Sequence, residues 1–195
     1  MNADVTIVGA GILGLSLAYH LSNQGCSVVL LEREANTGLH ASGKNAGMFR
    51  QLYRSPQLSS WARRSPALWP ESIRDLCFQR TGSYVLGRKS PTHDRELFAD
   101  RQVRTPSGAT LDAVFCESDG LIDSARFIEK LTSEIHRRKV DFRLSTSVRS
   151  VEWESGVWRI QCEAEAIESP RVVLGNGAWV SSLPLRNGKE NLNLR

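Results

Sequence analysis

Three glycines near the start of the chain have the types and spacing of a phosphate-binding turn. Gly9, Gly11 and Gly14 form the pattern Gly-x-Gly-x-x-Gly. The first glycine of such a pattern permits a tight turn, the second lets a pyrophosphate approach bare backbone, and the third lets a helix pack closely on a sheet. Unpaired N–H groups at the start of that helix, where Ile12 and Leu13 stand, favour an anion. The pattern therefore predicts a site for a dinucleotide.

An acidic residue stands where the sugar of such a ligand would lie. Glu32 follows the apolar run Ser27–Leu31, and a carboxylate at the end of a second strand can accept hydrogen bonds from ribose hydroxyls. Its negative charge also repels a 2′-phosphate, which disfavours NADP. The alternative is that the glycines only form a tight turn and that Glu32 is a solvated surface charge.

These residues must be positioned by a compact unit of strand, helix and strand. Val5–Val8 is a short apolar run typical of a buried parallel strand. Residues 12–23 have helical periodicity, Gly25 caps the helix, and Ser27–Leu31 is the second strand. A lone glycine pattern is weak evidence, but its place between a strand and a helix is the context that a dinucleotide-binding unit requires.

Beyond residue 32 the pattern changes to irregular and antiparallel structure. We predict a helix over 56–76 interrupted at Pro66 and Pro70, a strand over 78–86, a strand over 113–116, a helix over 124–138, a hairpin of 148–153 with 157–162, and a strand over 171–174. A nicotinamide-dependent dehydrogenase would instead continue with alternating helices and parallel strands, so NAD is the weaker alternative to FAD. The polar residues 186–195 are predicted to be a disordered tail.

The composition argues against several classes of function. The chain has 195 residues, 41% of them hydrophobic and 24% charged, and a net charge of +4. Its arginines are scattered rather than clustered, so nucleic-acid binding is not expected. The four cysteines include no CxxC pair, which argues against a metal site and against a disulfide scaffold. No signal peptide and no membrane span are expected, which leaves a cytoplasmic protein as the prediction.

Four segments, in order along the chain, resemble a known family. They are Asp4–Gly14, Ala41–Met48, Asp119–Asp123 and Val172–Trp179. Together they resemble the FAD-dependent D-amino-acid-oxidase-like family, which includes glycine oxidase, sarcosine oxidase and D-amino-acid dehydrogenases. The resemblance spans most of residues 4–183. One departure is Asn176, since family members commonly have alanine at that position.

The resemblance implies further contacts to FAD. Residues of the second motif would line the pyrophosphate and the flavin, largely through backbone groups: Ser42, Asn45, Ala46, Gly47 and Met48. Arg33 would lie beside the adenosine, and Val148 would contact the adenine through its backbone. Gly175 and Gly177 would permit a close approach of backbone to the cofactor, as glycine does where a side chain would obstruct a ligand.

The resemblance also implies an activity. The chain would be a FAD-dependent oxidoreductase that oxidises the CH–NH group of a small amino acid or secondary amine by hydride transfer to the flavin. Arg50 and Arg54 are candidates to bind a substrate carboxylate, because an arginine fork matches its geometry; the favoured alternative is that they face solvent or form structural ion pairs. No catalytic residue is identified. One alternative is a flavin enzyme that acts on the CH–OH group of a hydroxy acid, since similar folds serve both chemistries.

Family members are nearly twice as long as this chain. A C-terminal half that completes the substrate sheet and covers the flavin would be missing or supplied by a partner subunit, so a non-catalytic FAD-binding fragment is a further alternative. We predict an α/β fold: a Rossmann-type FAD-binding domain with an inserted antiparallel hairpin and a partial α+β substrate lobe. The expected boundaries are 1–75 and 119–185 for the FAD-binding domain and 76–118 for the partial lobe.

Overall fold

The computed structural model describes most of the chain, namely residues 3–87, 89, 97–138, 140–188 and 190–192. Its helices and strands are, in chain order, β1 (Val5–Val8), α1 (Ile12–Asn23), β2 (Val28–Leu31), β3 (Met48–Phe49), α2 (Pro56–Arg64), α3 (Glu71–Cys77), β4 (Phe78–Arg80), β5 (Ser83–Leu86), β6 (Ala99–Arg104), β7 (Thr110–Cys116), β8 (Gly120–Ile122), α4 (Ser124–His136), β9 (Val140–Arg143), β10 (Val148–Glu154), β11 (Val157–Cys162), β12 (Ala166–Ser169), β13 (Val172–Leu174), β14 (Leu185–Asn187) and β15 (Glu190–Asn191). Short 3₁₀ turns lie at Ser65–Leu68 and Gly177–Ser182. The chain divides into two compact units: a first unit of Met1–Asn45 with Ala125–Arg195, and a second unit of Ala46–Ser124.

The boundaries of the second unit differ from the sequence prediction. This unit begins at Ala46 and ends at Ser124, whereas the partial lobe was expected over 76–118, with 46–75 in the FAD-binding domain. The physical reason is strand pairing, because β8 pairs with both β3 and β4. A two-residue strand such as β3 has no detectable periodicity, so the sequence could not reveal that residues 46–75 fold with the inserted segment.

The first unit contains a parallel sheet of the predicted Rossmann type. Its strand order is β13-β1-β2-β9, and each neighbouring pair is parallel. All residues of β1 and β2 are buried, as expected for strands that are covered on both faces. Helix α1 connects β1 to β2 and buries Gly14, Leu15 and Ala18. This α/β arrangement confirms the predicted fold class.

A second sheet of the first unit contains the predicted hairpin. Strands β10 and β11 are antiparallel, β12 extends them on one side, and β14 and β15 extend them on the other. The presence of β14 and β15 corrects the prediction of a disordered tail for 186–195, of which 189 and 193–195 lie outside the described residues. Leu185 is only 8% exposed and β14 pairs in parallel with β10, so a single apolar anchor and distant backbone pairing hold this segment.

One apolar core joins the two sheets of the first unit. Val29 and Leu31 of β2 pack with Val151 of β10 and Ile160 of β11, and all four side chains are buried. Burial of each such side chain contributes about 1.5–3 kcal/mol. Val148, which begins β10, packs against the same cluster. The core therefore fixes the start of the hairpin next to the end of β2.

The second unit contains two small antiparallel sheets, β3-β8-β4 and β5-β7-β6. The single strand predicted over 78–86 is in fact two strands, β4 and β5, that belong to different sheets. The N–H groups of Thr81 and Gly82 donate to the Asp119 carbonyl at 3.2 and 2.9 Å, which turns the chain between them. The buried Asp119 carboxylate also accepts hydrogen bonds from the Gln51 N–H at 2.9 Å and the Ser83 hydroxyl at 2.6 Å. Asp119 therefore serves as a structural anchor.

Two further findings concern the part of the chain that the structure describes. No helix there is long and apolar enough to cross a membrane. No group of three or more His, Cys, Asp or Glu side chains there could hold a metal ion. The cysteines Cys26, Cys77, Cys116 and Cys162 are free thiols.

Candidate functional site

A cavity of about 510 Å³ lies in the first unit, beyond the carboxyl ends of β1, β2 and β13. Ligands of parallel α/β sheets bind at this edge, and the volume falls in the range of about 300–1,000 Å³ that is usual for small-molecule sites. Of the predicted cofactor residues, the following line the cavity: Gly9, Gly11, Glu32, Arg33, Ser42, Val148, Gly175 and Gly177. Segments that are far apart in the sequence therefore meet in one place.

Glycine is required at the three positions of the first motif for different structural reasons. Gly9 has a φ of +102°, and a Cβ there would lie 2.7 Å from the carbonyl oxygen of Gly175. A Cβ at Gly14 would lie 1.9 Å from the carbonyl oxygen of Gly9, so α1 could not pack against the turn. At Gly11 a Cβ would meet only the Ser42 side chain, with Oγ at 3.0 Å. Gly9 and Gly14 build the turn, and Gly11 leaves bare backbone at the cavity wall.

The start of α1 is linked to the second motif through Ser42. Its hydroxyl accepts a hydrogen bond from the Ile12 N–H at 2.9 Å. The loop around it is held by Asn45, whose Nδ2 donates to the Ser42 carbonyl at 2.7 Å. The first N–H groups of a helix have no partner within the helix. The Ser42 hydroxyl, from a distant loop, therefore already accepts from one of the N–H groups at the start of α1.

Glu32 is fixed in place by backbone groups. Its Oε2 accepts a hydrogen bond from the Ala10 N–H at 2.7 Å, and its Oε1 accepts one from the Glu34 N–H at 3.0 Å. The Glu32 N–H donates to the Arg143 carbonyl at 2.9 Å, and its carbonyl accepts from the Thr146 N–H at 2.8 Å. Each carboxylate oxygen can accept more than one hydrogen bond. The oriented carboxylate can therefore still accept from a ligand.

Arg33 belongs to a small cluster that includes residues not predicted for the site. Its guanidinium lies over the Trp179 ring, 4.0 Å from the centroid, and the His40 ring centroid is 4.6 Å from that of Trp179. Hydrogen bonds from His40 at 2.9 Å and from Arg33 at 3.0 Å hold the pKa of Glu34 below its usual value. His40 and Trp179 both line the cavity. Trp179 ends the fourth segment that resembles the family, but its contact with the distant His40 left no local signal in the sequence.

The segment after β13 supplies the opposite wall of the cavity. The Gly175 N–H donates to the Val8 carbonyl at 2.8 Å, which continues the β13–β1 pairing to the cavity. Gly177 has a φ of +59° and begins the second 3₁₀ turn. Between them, Asn176 lines the cavity, and its Oδ1 is buried without a hydrogen-bond partner among the described residues.

The other predicted residues do not line the cavity. Ile12 and Leu13 begin α1 and are 39% and 60% exposed, Gly14 is buried beneath the turn, and Asn45 braces the Ser42 loop. The rest belong to the second unit: Ala46, Gly47 and Met48. A Cβ at Gly47 would lie 2.3 Å from the Ile122 carbonyl oxygen, so close packing against Ile122 explains the glycine at this position.

Known proteins are similar to this chain over most of its length. The family described as FAD dependent oxidoreductase matches residues 4–194. One of the subunits of opine oxidase from Agrobacterium tumefaciens is 25% identical, over 90% of this chain and 56% of its own length. Glycine oxidase of Bacillus licheniformis is 24% identical, over 92% of this chain and 55% of its own length. The chain thus spans about half the length of the curated relatives it matches.

A solved structure shares the fold. Glycine oxidase from Geobacillus kaustophilus matches with a TM-score of 0.76 at 21% identity, over 93% of this chain and 57% of that one. At this identity the likeness concerns the fold alone. The family match, in contrast, extends over nearly the whole chain and includes the glycine turn, Glu32 and the segment after β13. The chain belongs to the FAD-dependent oxidoreductase family.

Proposed function

We propose that the cavity of the first unit binds the adenosine diphosphate part of FAD. The observation that carries the proposal is that Gly11, at the start of α1, and Glu32, at the end of β2, line the same cavity. The N–H groups of the first turn of α1 suit a pyrophosphate, and the carboxylate of Glu32 suits ribose hydroxyls. Bare backbone at Gly11 leaves room that a side chain would fill.

The other predicted contacts extend this proposal. Ile12, Leu13 and Gly14 supply the helix N-terminus, and Ser42 would share its position at the Ile12 N–H with a phosphate oxygen. Arg33 and Val148 would lie at the adenosine end, and Gly175 and Gly177 would permit close approach of the backbone. Asn45 would hold the Ser42 loop. Contacts of Ala46, Gly47 and Met48 with the cofactor stay predictions.

The reaction that we propose is oxidation of the CH–NH group of a small amino acid or secondary amine. Bound FAD supplies the acceptor for a hydride, and the role of this chain is to hold the cofactor and orient the substrate. Support comes from two relatives of this chain, a glycine oxidase and a subunit of an opine oxidase. Arg50 and Arg54 are both exposed and stay candidates for binding a substrate carboxylate.

A second candidate is a FAD-binding chain without turnover of its own. The observation that favours it is length, because the chain matches only 55–56% of these curated relatives. A second half or a partner subunit would then complete the substrate site, as the name of the opine oxidase relative, itself one component of an assembly, suggests. The cytoplasmic location stays a prediction.

Spectroscopy of the purified chain tests both candidates. We expect a yellow protein, and mass spectrometry of the released cofactor should identify FAD. Anaerobic addition of small amino acids or secondary amines should bleach the flavin absorption if the chain turns over substrate. Bleaching by hydroxy acids alone would indicate CH–OH oxidation, and a yellow protein that no substrate bleaches would indicate the second candidate. A protein that cannot be loaded with added FAD would overturn both.

A further inference from the structure

The Asn176 side chain presents an acceptor that the protein leaves unpaired. Asn176 lines the cavity of the first unit, and its Oδ1 is buried without a hydrogen-bond partner among the described residues. The only other such side-chain atom in the described part of the chain is the Thr6 hydroxyl oxygen, inside strand β1. Burying an acceptor without a donor is costly, and buried polar groups of native proteins are nearly always paired. Because Asn176 lines the cavity, a rotation of its side chain would bring Oδ1 to a donor from outside the chain, and such a hydrogen bond would remove this cost.

The chemistry of FAD limits which of its groups could be that partner. An amide oxygen can only accept a hydrogen bond, so the ionised phosphate oxygens, which are also acceptors, are excluded. Sugar and ribityl hydroxyls can donate. The ribose hydroxyls of the adenosine are already matched by the Glu32 carboxylate in the proposed function. The N–H donors of FAD, on the adenine amino group and on the isoalloxazine N3, lie at the two ends of the molecule, far from the pyrophosphate. The remaining donors are the hydroxyls of the ribityl chain, next to the pyrophosphate on its flavin side.

The position of Asn176 fits a group next to the pyrophosphate. A Cβ built on Gly9 would lie 2.9 Å from the Asn176 Cα and 2.7 Å from the Gly175 carbonyl oxygen. Asn176 therefore backs directly onto the glycine turn that leads into α1, where we place the pyrophosphate. Glu32 lies on the other side of β1, because β2 and β13 pair with opposite edges of that strand. The two acceptors thus flank the turn.

We propose that Asn176 is a cofactor-positioning residue, whose Oδ1 accepts a hydrogen bond from a ribityl hydroxyl of FAD. The proposal rests on the proposed function, since it needs the pyrophosphate at the glycine turn. It also goes beyond it, because it assigns a side-chain contact on the flavin side of the phosphates. It predicts that this side chain distinguishes FAD from a ligand that ends at the pyrophosphate.

Binding of FAD and of ADP to the full chain tests the proposal. ADP contains the adenosine and the phosphates but no ribityl group. For Asn176→Ala we expect FAD to bind about 2- to 10-fold more weakly, the range for one lost neutral hydrogen bond, and ADP to bind as in the wild type. The matched control is Asn187→Ala in the same unit, because Asn187 is exposed and lies outside the cavity. It should leave both affinities unchanged.

A second readout needs no ligand. Since Asn176→Ala removes an unpaired buried acceptor, the thermal midpoint of the cofactor-free protein should stay the same or rise while FAD affinity falls. If the alanine variant aggregates, Asn176→Leu and Asn176→Asp replace it: leucine has no acceptor, and aspartate keeps one. Leucine should lower the ratio of FAD to ADP affinity. Aspartate should keep that ratio, although its charge weakens both ligands.

The outcomes separate the failure of this proposal from that of the proposed function. Wild-type protein that binds FAD, together with an alanine variant that binds FAD equally well, overturns the role of Asn176 alone. An equal loss of FAD and ADP affinity also overturns it, because the side chain would then support the cavity in general. Wild-type protein that binds neither ligand overturns the proposed function and this inference with it.

Discussion

The two units differ in how they present their apolar and polar groups. In the first unit, backbone N–H groups, a fixed carboxylate and an unpaired amide oxygen surround a cavity of about 510 Å³. In the second unit, a cleft is lined mostly by aromatic and aliphatic side chains: Phe49, Tyr53, Trp61, Ala62, Arg64, Ser65 and Leu68. We call this the aromatic cleft. Trp61 and Leu68 in it are 57% and 60% exposed.

This difference indicates which unit binds a ligand and which unit associates with other chains. The first unit pairs its strands with one another and places specific donors and acceptors around its cavity. The second unit exposes adjoining apolar side chains, and contiguous apolar surface of this kind usually marks a place of interaction. We therefore expect affinity for the adenosine diphosphate part of the cofactor to depend on the first unit, and association with other chains to depend on the second.

The substitution with the largest expected effect is Gly11→Trp. A Cβ at this position already meets the Ser42 hydroxyl at 3.0 Å, and an indole would fill the space where we place the pyrophosphate. We expect affinity for FAD and for ADP to fall at least about 100-fold, while stability changes by less than about 1 kcal/mol. Fluorescence titration and thermal unfolding measure the two quantities.

The control for this substitution is Gln24→Trp at the exposed opposite end of α1. Gly11 and Gln24 are the two capping positions of this helix, so the control introduces the same side chain at its other end and should leave both affinities unchanged. Should the Gly11 variant bind FAD like the wild type while remaining folded, the pyrophosphate does not lie at the glycine turn.

A smaller effect is expected for Glu32→Gln. The substitution keeps the shape of the side chain but replaces one carboxylate oxygen by an NH2 group, which is a donor. This new donor would face either the Ala10 or the Glu34 N–H, which are donors themselves, or the hydroxyls of the ligand. Hydrogen bonds to a charged group contribute about 1.5–3 kcal/mol, so FAD and ADP should bind roughly 10- to 100-fold more weakly. Glu168→Gln, on the exposed surface of the same unit, is the control. Equal affinities in both variants would contradict the role of Glu32.

The part of the site that the sequence reveals is the part encoded by contiguous residues. The turn and its helix were predicted because strand, glycines and helix follow one another within a short segment, and α1 spans Ile12–Asn23 as expected. Glu32 was predicted because it ends the next strand. At Gly9 and Gly14 the local backbone geometry dictates the residue type.

What the sequence does not reveal depends on distant pairing. His40 and Trp179 meet only after β2 and β13 have been placed on either side of β1. Strand β14 contains one buried residue, Leu185, which is too little for periodicity to detect. The start of the second unit at Ala46 depends on the short strand β3. Tertiary contacts decide all of these features.

Substitutions in the aromatic cleft test the role that we assign to the second unit. We expect the purified chain to self-associate through this exposed apolar surface, and Trp61→Ser combined with Leu68→Ser to weaken that association about tenfold. Sedimentation at several concentrations measures this. ADP affinity should be unchanged, since neither residue belongs to the first unit. A loss of ADP affinity would show that the two units are not independent.

The smallest expected effect concerns acid stability, and it should also belong to the first unit. The Arg143 Nε donates a bifurcated hydrogen bond to both carboxylate oxygens of Asp141, at 3.1 and 3.0 Å, and its Nη2 donates to Oδ2; these bonds hold the pKa of the Asp141 carboxyl below its ordinary value of 3.8. A carboxyl with a lowered pKa stabilises the folded state above its unfolded pKa. That contribution is lost as the pH falls through the folded pKa, so the effect appears below about pH 4.

Exposure to solvent limits how much the Asp141–Arg143 pair can contribute to the free energy of unfolding. The Arg143 and Asp141 side chains are 25% and 36% exposed, and exposed ion pairs contribute less than about 1 kcal/mol. Asp141→Asn should therefore lower the free energy of unfolding at pH 7 by no more than this amount and reduce its loss between pH 5 and about 3, as denaturant titrations at each pH would measure. Asp112→Asn, on the exposed surface of the second unit, should leave the pH dependence of the first unit unchanged. If both variants flatten the acid response equally, the acid-sensitive pairing is not confined to the sheet that holds Glu32.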